Sequence, residues 1–270
     1  MGAQKKTWDH MRRALYRIYC RLERRLAPGL RYSQHAFAEA LQSEIGERPV
    51  WLDLGCGHQL FPDWMRDQQS RVLSRTRWVV GIDLDLASLR AHTAYRDKAL
   101  ASGYQLPFAT KSFDLVSANM VAEHLSEPTR LLNEVRRVLR PGGRFVFHTP
   151  NRESWLIRIS RRTPNWLKLK LVRLLENRLP DDVFPTYYRL NRRADIEGLA
   201  HAAGFRVVHL TLLSSSALTG ALGPLAIPEL LWLRWLARPS HERSRTNIIA
   251  VLEIQPRQNE CGEDMTNVSR

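Results

Sequence analysis

Residues 50–57 have the sequence Val-Trp-Leu-Asp-Leu-Gly-Cys-Gly, in which an apolar run leads into two closely spaced glycines. The apolar run Val50–Leu54 fits a short buried strand, and the two glycines that follow predict a sharp turn at its end. We expect a helix to begin near Pro62. A strand, a glycine turn and a helix in this order are typical of parallel α/β proteins, which bind ligands at the carboxyl ends of their strands.

The same alternation continues through most of the chain. Strands are predicted at 50–54, 78–83, 99–101, 113–118, 144–149, 205–211 and 247–254, and helices at 62–70, 85–96, 127–139 and 195–203. This spacing predicts an α/β fold with a doubly wound sheet. Residues 1–48 form a predicted N-terminal helical extension with helices at 7–26 and 35–45, residues 49–254 the main domain, and residues 255–270 a disordered tail.

Two segments interrupt the alternation. Residues 151–190 are basic and aromatic, and we interpret them as an inserted helical lid. Residues 214–240 form an apolar insertion that contains Gly220, Gly223, Pro224, Pro228 and Arg234. These residues break the apolar run too often for a membrane span, which needs about 20 mostly uninterrupted apolar residues.

The positive charge of the chain is concentrated in two places. Residues 1–31 carry nine Lys or Arg and two Asp or Glu, and residues 151–195 carry eleven and five, out of a net charge of +14. The remaining residues are close to neutral. This distribution predicts that particular surfaces meet an anionic partner, which the charge alone leaves open as nucleic acid, anionic lipid or a phosphorylated substrate.

The cysteines exclude two classes of protein. Cys20, Cys56 and Cys261 are odd in number and far apart, so a disulfide framework is excluded, and no Cys/His cluster suggests a zinc site. No apolar segment follows the basic N-terminus as in a secretory signal. We therefore expect a cytoplasmic protein without a metal site.

The glycine turn fits a dinucleotide or a nucleoside triphosphate poorly. A dinucleotide turn needs a third glycine where this chain has Leu60, and a phosphate-binding loop needs a Gly-Lys-Ser/Thr sequence that is missing after Gly57.

The turn instead resembles the first motif of class I S-adenosylmethionine-dependent methyltransferases, Asp53-x-Gly55-x-Gly57. The resemblance implies a Rossmann-like seven-stranded sheet whose last strand is antiparallel, with S-adenosyl-L-methionine as the cofactor. It also implies that the turn, including Cys56, passes the methionine part. Asp83, at the end of the second strand, would hold both ribose hydroxyls with its two acceptor oxygens, and Leu84 would pack on the adenine.

Further motifs of this family follow in order, at residues 102–108, 112–116, 119–125 and 139–143. The resemblance adds Gly103, Tyr104 and Asn119 to the implied cofactor contacts, and Tyr32 as an N-terminal aromatic that folds over the cofactor. The chain is most similar to the small-molecule group typified by quinone-biosynthesis methyltransferases. It departs from the family at Gln59, where the third loop glycine is expected, and at Ser102, where an acid often contacts the adenine.

The acceptor is predicted from His124, which follows the fourth strand. Transfer to a phenol or alcohol requires removal of a proton, and histidine is suited to this near neutral pH; a structural role at a helix start stays open as the alternative. We favour O-methylation of a small or lipid-linked acceptor. In this interpretation the two basic segments and residues 214–240 form a peripheral contact with the inner face of an anionic membrane. An RNA methyltransferase and an inactive cofactor-binding scaffold are the alternatives.

Overall fold

The computed structural model of the chain describes residues 2–162, 185–215 and 226–255. Its centre is a seven-stranded sheet in the order β3-β2-β1-β4-β5-β7-β6, with the last strand antiparallel, as the sequence predicts. The strands are β1 Val50–Leu54, β2 Trp78–Asp83, β3 Asp97–Leu100, β4 Phe113–Asn119, β5 Leu139–Pro150, β6 Phe205–Leu213 and β7 Asn247–Ile254.

The described α-helices precede, separate and follow these strands along the chain. They are α1 Gly2–Leu26, α2 Ser33–Glu44, α3 Arg66–Ser74, α4 Leu86–Ala91, α5 Pro128–Val138, α6 Trp155–Arg162, α7 Arg193–Ala202 and α8 Ile227–Leu236. Short 3-10 helices cover Asp63–Met65, Ala122–His124 and Pro239–Ser244.

The helix α5 illustrates how the sequence specifies these elements. Pro128 begins this helix. Proline suits the first helical position because the amide hydrogen that it lacks would have no partner within the helix there. Its buried apolar residues recur at helical spacing, namely Leu131, Leu132, Val135 and Val138. On its polar side, Arg137 forms an ion pair with Glu134 and also donates to the backbone carbonyls of Leu106 and Phe108. The helix therefore fixes the loop that precedes β4.

Several predicted boundaries differ from the observed ones, among them those of β5, of α4 and of the helix after the glycine turn. The strand β5 begins at Leu139 and not at the predicted residue 144, so it includes the sequence Pro141-Gly142-Gly143. The helix α4 ends at Ala91 instead of continuing to residue 96, because the backbone becomes extended at His92. The helix after the glycine turn starts with a 3-10 turn at Asp63 and becomes an α-helix only at Arg66.

The chain divides into two compact units. The helical unit consists of residues 1–33, 150–185 and 212–247, and the sheet unit of residues 34–149, 186–211 and 248–270. The described parts of the predicted insertion and of the predicted lid up to residue 185 fall in the helical unit, whereas residues 163–184 of the lid and 216–225 of the insertion lie outside the described residues. The predicted domain boundaries stay a prediction, and the predicted tail from residue 256 onward lies outside the described residues.

Within the helical unit, α1 packs against α8. Its buried cluster consists of Tyr19, Ala27, Ala226 and Leu230. Among the residues that the structure describes, every helix is too short or too polar to cross a bilayer.

Within the sheet unit, a buried polar network joins the central strands. The carboxyl group of Asp53 in β1 is 3% exposed and accepts hydrogen bonds from the hydroxyls of Ser117 in β4 and Tyr95. The indole of Trp51 donates in turn to the Ser117 hydroxyl at 2.8 Å. Burial raises the pKa of Asp53 to about 6, although the two hydroxyl donors act against the shift.

A glycine in β2 makes room for this network. A Cβ on Gly81 would lie 2.6 Å from the Tyr95 ring and 2.7 Å from the Cys56 sulfur. The missing side chain at position 81 therefore lets Tyr95 reach Asp53 beneath the turn.

The raised pKa of Asp53 predicts a pH dependence of stability. The group ionises near pH 4 when unfolded and near pH 6 when folded, so its contribution is full below about pH 4 and is lost as the pH rises through about 6. The unfolding free energy of wild type, relative to Asp53→Asn, should therefore fall by about 2–3 kcal/mol between these pH values. Urea unfolding at a series of pH values measures this difference. A difference that stays constant across the range would contradict the assignment.

Candidate functional site

The glycine turn follows β1 at the centre of one sheet edge. Because β1 lies between β2 and β4 and is parallel to both, the carboxyl ends of all three strands meet there. Gly55 and Gly57 have φ values of 63° and 54°, a region that favours glycine. The amide of Cys56 donates to the Ile82 carbonyl at 3.0 Å, and the amide of Gly57 donates to the Asp83 carboxylate at 2.8 Å. The turn is thus held against the end of β2.

The two glycines have different roles. A Cβ on Gly55 would lie 2.5 Å from a methyl group of Val121, so this position is closed by the segment after β4. A Cβ on Gly57 would meet no atom within 4 Å. Gly57 therefore leaves its backbone open to a ligand.

Asp83 is oriented for a ligand by the backbone on both sides. One carboxylate oxygen accepts from the amide of Asp85 at 2.9 Å, and the other accepts from Gly57. Each oxygen has a second lone pair, so the carboxylate retains two acceptor sites. Asp85 instead accepts from the amides of Ala87 and Ser88 and caps α4. A hydrogen bond with the Ser88 side chain, and after it the two amide hydrogen bonds, hold the pKa of Asp85 below its usual value.

Apolar side chains flank Asp83. Leu84 is 66% exposed and Leu100, at the end of β3, is 58% exposed. The sulfur of Cys56, by contrast, is buried, and burial raises the pKa of its thiol to about 12. This cysteine is therefore a packing residue of the turn and not a nucleophile.

The predicted contacts Gly103 and Tyr104 lie in the loop after β3. The Tyr104 hydroxyl accepts from the amides of Ser126 and Glu127, so this side chain serves the start of α5. A Cβ on Gly103 would lie 2.8 Å from Leu131 of the same helix. A contact of these two residues with the cofactor therefore remains a prediction, and their backbone atoms would make it.

Asn119, at the end of β4, belongs to a side-chain network. It exchanges hydrogen bonds with Gln34, at 2.9 Å and 3.4 Å, and its oxygen lies 2.8 Å from Nδ1 of the buried His148. Tyr32, the predicted N-terminal aromatic, lies in the helical unit, where its hydroxyl donates to Glu23 at 2.7 Å. The cofactor roles of Asn119 and Tyr32 stay predictions.

His124 ends the 3-10 helix that follows β4, with its side chain one-third exposed. Its Nε2 atom lies 4.0 Å from a carboxylate oxygen of Glu123, which is only 4% exposed. The other oxygen of Glu123 accepts from the Thr149 hydroxyl at 3.1 Å, and Asn191 donates to that hydroxyl at 2.6 Å. Burial raises the pKa of the Glu123 carboxyl. A chain of buried polar groups therefore ends at His124.

Sequence reasoning missed Glu123. Its position directly before the candidate histidine was the available signal, but a glutamate is rarely fully buried unless it is paired, so exposure was the ordinary expectation. The burial comes from a tertiary contact, because the amides of Tyr187 and Tyr188 both donate to the Glu123 carbonyl. Tyr188 has a φ of 53°, which is strained for a tyrosine and marks this docking point.

The residues at the sheet edge fit S-adenosyl-L-methionine. Asp83 retains acceptor sites for a vicinal diol, Leu84 and Leu100 present apolar surface beside it, and Gly57 leaves space above the turn. In residues 2–162, 185–215 and 226–255, no cluster of three or more acidic, cysteine or histidine residues is arranged to hold a metal ion.

Comparisons with known proteins agree with this geometry. A family model described as a methyltransferase domain matches residues 11–210. A protein of Mycolicibacterium smegmatis named as a probable S-adenosylmethionine-dependent methyltransferase is 32% identical over 136 residues, which cover 47% of this chain and 50% of that protein. A ubiquinone biosynthesis O-methyltransferase of Idiomarina loihiensis is 31% identical over 121 residues, covering 40% of this chain and 46% of that protein. The chain thus matches half or less of the length of these relatives.

A solved structure shows the same fold. The S-adenosylmethionine-dependent methyltransferase of Methanosarcina mazei superimposes with a TM-score of 0.52 at 14% identity, and the match covers 81% of this chain and 98% of that one. The family model covers well over half of the chain. The chain therefore belongs to the methyltransferase-domain family, whose cofactor is S-adenosyl-L-methionine.

Proposed function

We propose that the chain is an S-adenosyl-L-methionine-dependent O-methyltransferase that acts on a small or lipid-linked acceptor at the inner face of an anionic membrane. The observation that carries the proposal is the Glu123–His124 pair at the end of β4, the strand beside the glycine-turn strand. An acid–base pair at this edge is what transfer to a hydroxyl requires.

The sheet unit would hold the cofactor through the residues around Asp83. Its carboxylate would accept hydrogen bonds from the two ribose hydroxyls, Leu84 and Leu100 would cover the adenine, and the turn at Gly57 would pass the methionine part. The cofactor supplies a methyl group on a positively charged sulfur, which is already activated. The protein has therefore mainly to position the acceptor and to exclude water.

His124 would remove the acceptor proton. The imidazole becomes positively charged when it takes the hydroxyl proton, and the Glu123 carboxylate stabilises this charge at close range. Thr149 and Asn191 fix the carboxylate, so it does not have to reorganise when the charge forms. Glu123 is a positioning residue in this scheme and His124 the catalytic base.

The choice of acceptor draws on two supports. One relative is named as a ubiquinone biosynthesis O-methyltransferase. The chain itself is basic and rich in tryptophan, with a net charge of +14 and eight tryptophans, a composition that suits the headgroup region of a membrane. RNA methylation remains the alternative that the basic charge alone would also serve. An inactive scaffold is the second alternative, and it would not transfer a methyl group to any acceptor.

Substitutions at Asp83 and Asp85 should separate cofactor binding from stability. Asp83→Ala removes the charged acceptor of the ribose and should weaken cofactor binding by about 1–3 kcal/mol in titration calorimetry. Asp85→Ala removes only the cap of α4 and should lower the unfolding free energy with little change in cofactor affinity. Equal losses of affinity in both variants would show that the ribose is not held by Asp83.

Substitutions at Glu123 and His124 should affect turnover and not cofactor affinity. His124→Ala should lower the rate of methyl transfer by about 10²–10⁴-fold, as expected for loss of a general base. Glu123→Gln preserves the shape and a hydrogen bond to Thr149, and should give a smaller loss. The readouts are the transfer rate from radiolabelled cofactor across pH, with calorimetry as the binding control. Wild-type rates for His124→Ala at every pH would return this histidine to a structural role.

A further inference from the structure

Nearly all of the net positive charge of the protein belongs to the helical unit. Residues 1–33, 150–185 and 212–247 contain 21 of the 41 Lys and Arg residues but only 8 of the 27 Asp and Glu residues, a net charge of +13 out of +14. The sheet unit, which holds the candidate site, is close to neutral. The helical unit also contains five of the eight tryptophans.

The helical unit also exposes large apolar side chains. Among the residues that the structure describes, fourteen large apolar side chains are exposed, and seven of them belong to this unit. They are Tyr16, Ile18, Trp155, Ile159, Ile227, Leu231 and Trp235. The helical unit is the smaller of the two units and yet holds half of these side chains. Such a concentration of exposed apolar residues in a basic unit needs an explanation.

Helix α8 shows the arrangement most clearly. Ile227, Leu231 and Trp235 are 36%, 48% and 42% exposed and lie four residues apart, so they form one stripe along the helix. The opposite side of α8 is buried through Leu230, Leu233 and Leu236. Trp235 also stacks on His241, with ring centroids 3.6 Å apart, and remains exposed on its other side.

Arginines border this stripe and its counterparts in the same unit. Arg234 and Arg238 are exposed beside Trp235. In α6, Arg158 is exposed between Trp155 and Ile159. In α1, Tyr16 and Ile18 are accompanied by exposed arginines at positions 17, 21, 24 and 25.

We propose that the helical unit docks on an anionic lipid bilayer, with the α8 stripe Ile227–Leu231–Trp235 inserted at the headgroup boundary and the bordering arginines bound to lipid phosphates. Charge complementarity selects this partner. Arginine meets the phosphates, and tryptophan suits the boundary where one side is apolar and the other is wet. Nucleic acid would use the arginines but would leave exposed leucine and isoleucine without a partner.

This inference rests on the proposed function only for the reason to visit a membrane, which a lipid-linked acceptor provides. Docking itself requires neither cofactor nor acceptor. A binding experiment without either of them therefore fails or succeeds independently of methyl transfer.

The test is sedimentation of the full chain with vesicles of phosphatidylcholine, alone or mixed with phosphatidylglycerol, at low and high salt. Wild type should bind the mixed vesicles and not the neutral ones, and binding should weaken with salt. Leu231→Gln with Trp235→Gln should raise the lipid concentration for half-binding by at least about tenfold. Arg234→Glu with Arg238→Glu should have an effect of similar size.

Matched controls come from the sheet unit. Trp64→Gln with Leu86→Gln changes two exposed apolar side chains, and Arg90→Glu with Arg96→Glu changes two exposed arginines. Both controls should bind like wild type. Thermal melting checks that each variant folds. If the Leu231→Gln, Trp235→Gln variant does not fold, the Arg234→Glu, Arg238→Glu variant still decides the test.

Three results would overturn the inference. The first is wild type that does not bind mixed vesicles. The second is binding that the controls reduce as much as the α8 variants do. The third is a dimer in solution that the α8 variants dissociate, since the stripe would then be covered by a second copy of the chain.

Discussion

The buried carboxyl group of Asp53 is the constraint on which the site depends. It is fixed by hydroxyls from Ser117 and Tyr95, and so it ties β1 to β4 and to the chain beneath the glycine turn. Tyr95 reaches it only because Gly81 has no side chain. A charge in the core costs free energy, and burial accordingly raises the pKa of Asp53 to about 6. The hydrogen bonds of Asp53 hold the end of β1 in place, and the glycine turn begins there. The Gly57 amide of this turn then donates a hydrogen bond that orients Asp83.

The molecule separates its chemistry from its charge. The sheet unit carries the proposed acid–base pair and the residues around Asp83 and is almost neutral, whereas the helical unit carries nearly all of the net charge. An activated methyl donor needs little electrostatic help from distant groups, because the donor sulfur already bears the charge that is lost on transfer. The excess of arginine is therefore better explained by a partner of the helical unit than by the reaction.

The sheet could be predicted from the sequence because its signals are local. The strand β1 is a short apolar run, Val50–Leu54, that ends at a turn residue, and the glycines at positions 55 and 57 do adopt the positive φ values that the turn requires. The assignment of Asp83 over Asp85 is consistent with the observed cap of α4, although the ribose contact itself is a proposal. The start of β5 at Leu139 was not predictable, since Pro141-Gly142-Gly143 is typical of a turn. Glu123 was also missed, because its burial depends on Tyr187 and Tyr188, more than sixty residues away in sequence.

Transfer of a labelled methyl group tests the central claim most directly. The protein is incubated with tritiated S-adenosyl-L-methionine and host extract, and the extract is then separated into lipid, RNA, protein and small-molecule fractions. The account predicts counts in the lipid or small-molecule fraction, in a product that carries a methyl ether or ester. Counts confined to RNA or protein, or no transfer into any fraction by protein that binds the cofactor, would contradict it.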